Sequence, residues 1–425
     1  MTRTLKSVAI IGAGVVGVAT AYALARRGLD VTVIDGRESA GRGASYANGA
    51  QLSYLYTDAL ANPRLFRDMP GLLLGRSEAF RMRLSLDPDY LRWLLAFLRN
   101  CTAGRFKRNT LAALELGLES RLQMASLLAT HDLDFGYAVR GKMHLYHPEA
   151  AFSAARRVMG MKNVGPAAQQ ALSFDEARAI EPALDAAPDR PVGIIYTPDE
   201  AVGDSFRFSS NMLELLQARY GVRVIFDATV SEVSTASGEA LLCTDGQAVK
   251  ADMAVVCAGA DARRLLRPFG VSIPVMPMKG YSLTAPPGDA APTVSLTDTT
   301  RRLVFTRLDG RIRVAGLADL GWRSADPDPA RLNTLLQHAR ASLPQAAAFD
   351  DASSFWAGLR PMTPNSLPCI GQAGPALAYN VGHGMLGWTL AMGSGERLAR
   401  QIAPDFDPVS EGHAPHDVKT LAATP

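Results

Sequence analysis

A charge-free stretch close to the start of the chain, Val8 to Ala25, limits the possible folds more than any other feature. Read on to Asp35 it is VAIIGAGVVGVATAYALARRGLDVTVID: a short apolar strand, a turn carrying Gly12, Gly14 and Gly17, a helix of small residues, and a second strand that closes on an acid. Gly12 permits the tight turn, Gly14 lets backbone approach a pyrophosphate without an intervening Cβ, and Gly17 lets the helix lie close against the strand. The N–H groups opening that helix, at Val15 and Val16, then face the phosphates. Arg26 and Arg27 suit the negative end of the helix dipole, and Gly28 suits the position just past the helix. Asp35 falls 18 residues after Gly17, close to where an acid accepts hydrogen bonds from a ribose; its charge repels a 2′-phosphate, so FAD or NAD is favoured over NADP. A hydropathy scan alone reads the same residues as a membrane span, or, with Lys6 before them and Ala-Leu-Ala near the end, as a signal peptide. Neither needs three glycines at this spacing, nor a continuation into VTVID.

At 425 residues the chain has room for two or three domains. A formal charge of +3 and a pI near 8.7 are mild, with the basic residues scattered, which argues against nucleic acid as a partner. Loose contact with an anionic membrane face stays open. Cys101, Cys243, Cys257 and Cys369 stand far apart, without a Cys-x-x-Cys pair or a His cluster at metal-ligand spacing, so no metal is expected and reduced thiols in a cytoplasmic protein are. Cys257 lies in the apolar run AVVCAGA and reads as a small core residue.

After Asp35 the segment GRESAGRGASYANGAQLS is too rich in Gly, Ala, Ser and Asn for a strong helix or strand. It begins where a dinucleotide leaves the sheet, which makes Ser45, Asn48, Gly49 and Gln51 contacts to phosphates and ribityl chain; the alternative is a solvated loop. From Pro63 to about Leu133 the spacing is helical, with Tyr90, Leu91, Trp93, Leu94, Phe97 and Leu98 on one face and Arg81, Arg83, Arg92, Arg99 and Arg105 between, an inserted layer packed on the core or resting on a membrane. GKMHLYH at 141–147 alternates like a strand. A helix from about Phe206 to Ala218 follows Gly203-Asp204, and Asp245-Gly246 signals a type I′ hairpin. The return strand ending at Ala258-Gly259 rejoins the first sheet and makes the first domain discontinuous. Between Ile273 and Val314 the alternation fits an antiparallel sheet with one face open to a ligand, with a second hairpin at Asp309-Gly310. The last 20 residues are polar and read as a loose tail.

Taken together, the glycine turn with Asp35, SYANGAQLS, Gly203-Asp204, AVVCAGAD, PMKGYSLT, RIRVAG, GLRPMTP and GHGMLGWT resemble, in order and over nearly the whole chain, the D-amino-acid dehydrogenase branch of the FAD-dependent amino-acid oxidase family. The resemblance implies an α/β fold: a Rossmann-like domain for noncovalent FAD (1–60, 200–270 and 355–405), a second α+β substrate domain on an antiparallel sheet (61–199 and 271–354), and a tail (406–425). It implies hydride transfer from Cα of a D-amino acid, or of a cyclic D-imino acid such as D-proline or its hydroxylated forms, to flavin N5. The imine hydrolyses to a 2-oxo acid and electrons pass to a quinone or other acceptor. Rivals on the same fold are an oxidase, a sarcosine-like secondary-amine dehydrogenase, and the flavin subunit of a hetero-oligomer.

By the same resemblance Arg360 of GLRP grips the substrate carboxylate, a role that a planar fork of donors suits better than a lysine. Val230, Ala258 and Gly259 join the cofactor contacts, and Gly384, Met385, Leu386, Gly387 and Thr389 place backbone N–H groups and a helix dipole at the flavin's pyrimidine edge. Tyr281 reaches toward the carboxylate and Tyr54 closes the pocket, unless each is a core or rim aromatic. His383 is a base or simply packed between glycines. Asn365 stands where the family motif usually has Asp, and Met385 where it has Thr. The expected setting is the cytoplasm, with loose attachment to the inner face of a bacterial membrane.

Overall fold

The computed structural model describes residues 5–73, 77–235 and 238–404; the tail expected at 406–425 lies outside them. Strand β1 (Ser7–Ile11), helix α1 (Val15–Ala25) and strand β2 (Asp30–Ile34) form the unit read from the sequence, β1 and β2 pairing in parallel from Ser7↔Asp30 to Ile11↔Ile34. The uncharged stretch is therefore strand, turn and helix. Among the described residues no helix is long and apolar enough to cross a membrane.

The sheet around β1 has six strands in the order Arg223–Ile225, β2, β1, Met253–Val256, Leu377–Val381, Cys369–Gly374, all parallel except the last pair. Runs such as VAII and MAVV suit strands buried on both faces. One face is covered by α1, Ser205–Tyr220 and Gly387–Ile402, the other by a three-stranded sheet spanning 230–251. Gly17 lies so close to the turn that a Cβ there would stand 1.8 Å from the Gly12 carbonyl oxygen. All four cysteines are free, and burial pushes the Cys257 thiol up to about 12.

The second body is a large, mostly antiparallel sheet running Ser353–Met362, Met276–Ala285, Arg311–Leu320, Leu303–Leu308, Ser295–Asp298, Lys142–Tyr146, Gly193–Thr197, Gln170–Leu172. Alternation divides its faces. Met143, Leu283, Leu296, Phe305 and Val314 pack into a core with Leu335 and Ala339 of the helix Pro329–Ser342, while His144, Thr297, Val304 and Ala315 face the other way.

The structure redraws three expected details. Strand Ser353–Met362 belongs wholly to the large sheet, so the boundary expected at 355 falls inside it and the chain returns to the first sheet at Cys369. The helical insertion divides: Pro88–Asn100 buries Tyr90, Trp93 and Phe97, with Trp93 Nε1 donating to the Met362 carbonyl at 2.9 Å, whereas Ala103–Thr130 packs on Gly387–Ile402 beside the first sheet. Small residues permit that approach, since a Cβ on Gly393 would stand 2.8 Å from the Leu116 carbonyl oxygen. The turn at Asp245-Gly246 is not type I′. Neither residue has positive φ, because the Thr244 hydroxyl accepts from the Gly246 and Gln247 N–H groups and holds the turn instead; Asp309 and Gly310, at φ 44° and 74°, have the positive φ that type I′ requires.

A buried ionic cluster clamps the C-terminal end of α1 to the interior of helix Gly387–Ile402. Arg26 donates to Glu396 at 2.5 Å, and Arg27 is forked onto it at 2.8 and 3.0 Å. Burial opposes charge on Glu396, but the two arginines outweigh it and hold its carboxyl below the usual range. Glu396→Ala leaves two buried cations without their carboxylate and is expected to cost about 3–5 kcal/mol, read by denaturant unfolding of the holoprotein. Since the depressed carboxyl stabilises only when ionised, the difference between wild type and variant should shrink as pH falls below about 4.5; a pH-independent difference would refute the ionic reading.

Candidate active site

Between the two sheets lies one cavity of about 1220 Å³, larger than the roughly 300–1,000 Å³ of an ordinary small-molecule cleft. It gathers Gly12, Gly14, Val15, Val16, Asp35, Ser45, Asn48, Gly49, Gln51, Val230, Ala258, Gly259, Tyr281, Arg360, His383, Gly384, Met385, Leu386, Gly387 and Thr389. Of the residues expected at the site, Gly17 and Tyr54 stand outside the lining; Gly17 acts through packing alone.

Two helix N-termini meet this cavity. Neither N-cap residue, Gly14 for α1 or Leu386 for Gly387–Ile402, supplies a side-chain cap; Ser45 Oγ takes the Val15 N–H at 3.2 Å, and the positive dipole ends of both helices face the cavity. Asp35 has a structural task as well, accepting the Ala13 N–H at 2.7 Å and the Arg37 N–H at 3.0 Å, which holds the glycine turn. The segment after Asp35 is no solvated loop where it matters. Ser45 Oγ accepts the Val15 N–H, and the Ala47 and Gly49 carbonyls accept from Ser282 and Thr306 of the large sheet. Its end is tied to the last helix, whose Thr389 hydroxyl accepts the Ser53 N–H at 3.0 Å.

At the opposite wall Arg360 lies over Gly280, where a Cβ would stand 2.3 Å from a guanidinium nitrogen. Its Nη1 donates to the Leu317 carbonyl at 3.2 Å, and no carboxylate among the described residues forms an ion pair with it. Burial lowers its pKa to about 10, against the pull of Asp319, so it stays charged at neutral pH. A cation enclosed in this way calls for an anion from outside, and a planar fork suits a carboxylate.

For Tyr281, Tyr54 and His383 the structure takes the packed alternative. Tyr281 borders the cavity, but alternation gives that face to Ser282; the Tyr281 ring packs into the core and its hydroxyl donates to Asp319 at 2.7 Å, beside fully buried Arg331. Tyr54 packs with Met124, Leu127 and Trp388, while the Glu200 carboxylate accepts the N–H groups of Tyr54 and Leu55. Two residues on, Tyr56 enters the cavity in its place. His383 lines the cavity with Nε2 at 2.9 Å from the Ser394 hydroxyl, and burial lowers its pKa to about 3, so it is a neutral packed group.

Several lining residues were not anticipated: Tyr56, Lys142, His144, Thr297 and Arg302. The strand pattern of GKMHLYH carries a signal, since period 2 sets Lys142, His144 and Tyr146 on one face, yet a polar face reads by default as solvated. Here it is buried. Lys142 Nζ donates to Gln51 at 2.8 Å and Ser53 at 2.7 Å, and burial lowers it to about 8, Glu200 and Asp58 pulling the other way.

The family of FAD dependent oxidoreductases designated DAO matches residues 7–401. The chain is 42% identical over 409 residues to D-amino acid dehydrogenase 2 of Ralstonia nicotianae, covering 93% of this chain and 96% of that protein, and 42% identical over 401 residues to the Pseudomonas aeruginosa protein of the same name, covering 93% and 94%. Among solved structures, glycine oxidase of Geobacillus kaustophilus superimposes with a TM-score of 0.74 at 21% identity, covering 95% of this chain and 96% of that one. L-proline dehydrogenase of P. horikoshii does so with 0.72 at 18%, covering 95% of each.

An alanine at 280 should push the guanidinium off its seat. We expect Gly280→Ala to weaken small carboxylates about tenfold, close to 1.4 kcal/mol, in a titration followed by flavin absorbance; unaltered affinity would separate Arg360 from carboxylate binding.

Proposed function

The chain belongs to the FAD-dependent oxidoreductase family, and we propose that within it the protein is a D-amino-acid dehydrogenase, in which Arg360 holds the substrate carboxylate. The activity is FAD-dependent oxidative deamination of D-amino acids. The observation that carries the site assignment is that an enclosed arginine, without a carboxylate partner among the described residues, shares one cavity with the N-terminal ends of two helices.

FAD fits these residues. The turn from Gly12 to Val16 would take the pyrophosphate, and Asp35 a ribose. Val230 and Ala258-Gly259 would border the nucleotide half, and Gly384 to Thr389 the pyrimidine edge. When bound, the flavin supplies a two-electron acceptor for the hydride of the substrate Cα.

The chain's own groups bind and orient. Arg360 fixes the carboxylate by paired N–H donors, which turns Cα toward one face of the cavity. The dipole of Gly387–Ile402 favours negative charge at its N-terminus, as reduction of the cofactor requires. Neither buried histidine of the site takes a proton at neutral pH: His383 is lowered to about 3, and burial, then Lys142 and Lys162, hold His144 well below its ordinary value. Neither imidazole therefore serves as the acceptor of the substrate's ammonium proton.

We place the electron acceptor, a quinone, in a membrane that the protein touches from one side. The support is a surface where Leu84 and Leu86 stand 78% and 90% exposed, with Arg81, Arg83 and Arg92 exposed around them.

Anaerobic mixing with D- and L-amino acids should bleach the flavin band with D-substrates alone, and Arg360→Ala should retain FAD yet lose kcat/KM on the order of a thousandfold. Bleaching by L-substrates, or unchanged kinetics in the variant, overturns the respective assignment. The holoprotein should also co-sediment with vesicles containing anionic phospholipid, and Leu84→Ser with Leu86→Ser should release it; a wild type that stays in the supernatant removes the membrane contact.

A further inference from the structure

The wall of the cavity formed by strands Lys142–Tyr146 and Ser295–Asp298 holds polar atoms that the assignments so far leave unused. Thr297 and His144 are direct register partners on these parallel neighbours, so their side chains stand together on the cavity face. His144 is 1% exposed, and among the described residues neither ring nitrogen has a hydrogen-bond partner; Thr297 Oγ1 is buried and likewise unpartnered there. Unpaired buried polar atoms are costly and rare enough that a cluster of them lining a cavity points to a ligand that completes it. The imidazole is held rigidly, stacked on Tyr56 at 3.5 Å between ring centroids and 18° between planes.

We propose that His144 and Thr297 form the subsite for the substrate's side chain and select D-amino acids whose side chains end in a neutral hydrogen-bonding group, a hydroxyl or carboxamide. This rests on the dehydrogenase reading above. The sheet sets the span. Leu317, whose carbonyl holds Arg360, lies on a strand two removed from that of Thr297 and three from that of His144. At about 4.8 Å per strand the separation is roughly 10–14 Å, which a substrate anchored by its carboxylate bridges with an extended side chain, the imidazole and hydroxyl reaching to meet it. The chemistry of the wall is neutral. A neutral imidazole offers one donor and one acceptor, a threonine hydroxyl offers both, and the nearby ammonium of Lys142 is already bound to Gln51 and Ser53. A carboxamide or hydroxyl satisfies such a pair; an aliphatic side chain of equal length leaves both groups orphaned, which is how a polar site rejects an apolar analogue.

The test compares D-glutamine with D-methionine, of similar length, through the ratio of their kcat/KM values in the holoenzyme. Thr297→Val should lower that ratio about tenfold, His144→Phe, which preserves a ring on Tyr56, by at least as much, and Thr297→Ser should restore it. A ratio unmoved in both variants overturns the subsite. So does a parallel loss with both substrates together with weakened FAD binding, which would assign these atoms to the cofactor. A wild type reduced by no D-amino acid overturns the dehydrogenase reading instead; perturbation of flavin absorbance by D-glutamine, present in wild type and lost in Thr297→Val, still decides the subsite.

Discussion

Two helices far apart in the chain touch backbone to backbone, and the cavity depends on that contact. A Cβ on Gly395 would stand 2.9 Å from the Ala19 backbone, and behind this crossing Arg26 and Arg27 close on Glu396, 370 and 369 residues away in sequence. The contact fixes α1 and Gly387–Ile402 side by side, with their opening N–H groups directed into a shared space. Two positive dipole ends brought together repel, so the arrangement must be held from behind, and the buried ionic cluster lies at the C-terminal turn of α1. An anionic cofactor relieves the repulsion from the front.

The large sheet converts one periodicity into two surfaces. Along each strand one set of side chains enters a core and the intervening set faces the cavity, so a row from Trp356 through Ser282, Ala315, Val304 and Thr297 to His144 crosses six strands in register. Small residues in its middle leave room for flat groups, and Gly280 leaves room for Arg360 to lie along the sheet. The segment Ala47–Ser53 runs across the same strands and is bonded to them by Ser282, Thr306 and Lys142. What a composition-based reading treats as loop is thus the rigid floor of the site.

Local rules made the nucleotide unit legible. Gly12, Gly14, Gly17 and Asp35 each do something a short stretch of chain determines, and the hairpin at Asp309-Gly310 follows from two residues alone. The place of Arg360 in the cavity was legible through its motif. Tyr54 and Tyr281 stayed open between pocket and core because an aromatic in a motif says nothing about which face of its strand it occupies; that is decided by Glu200 and Asp319, residues distant in sequence that seize a neighbouring N–H or the hydroxyl. Lys142 and His144 escaped notice for the complementary reason. A polar face on a strand reads as solvated unless tertiary packing is known, and here Tyr56 and the floor segment bury it.

These placements bear on how the site handles charge. Arg360, Lys142 and the helix ends bring positive charge to the cavity, while the histidines within reach are neutral: one is hydrogen-bonded to Ser394 and one is held among two lysines. A base at neutral pH would have to lie near a pKa of 7, and burial moves both imidazoles away from it. On the dehydrogenase reading proposed above, the cavity would present positive potential to the substrate carboxylate and disfavour a substrate that still carries its ammonium. Selection of the neutral amine is a property of the whole enclosure, since the same desolvation that keeps Arg360 eager for an anion raises the cost of bringing in a second cation. Orientation and proton state are in this way set by one physical cause, the burial of charge between two sheets.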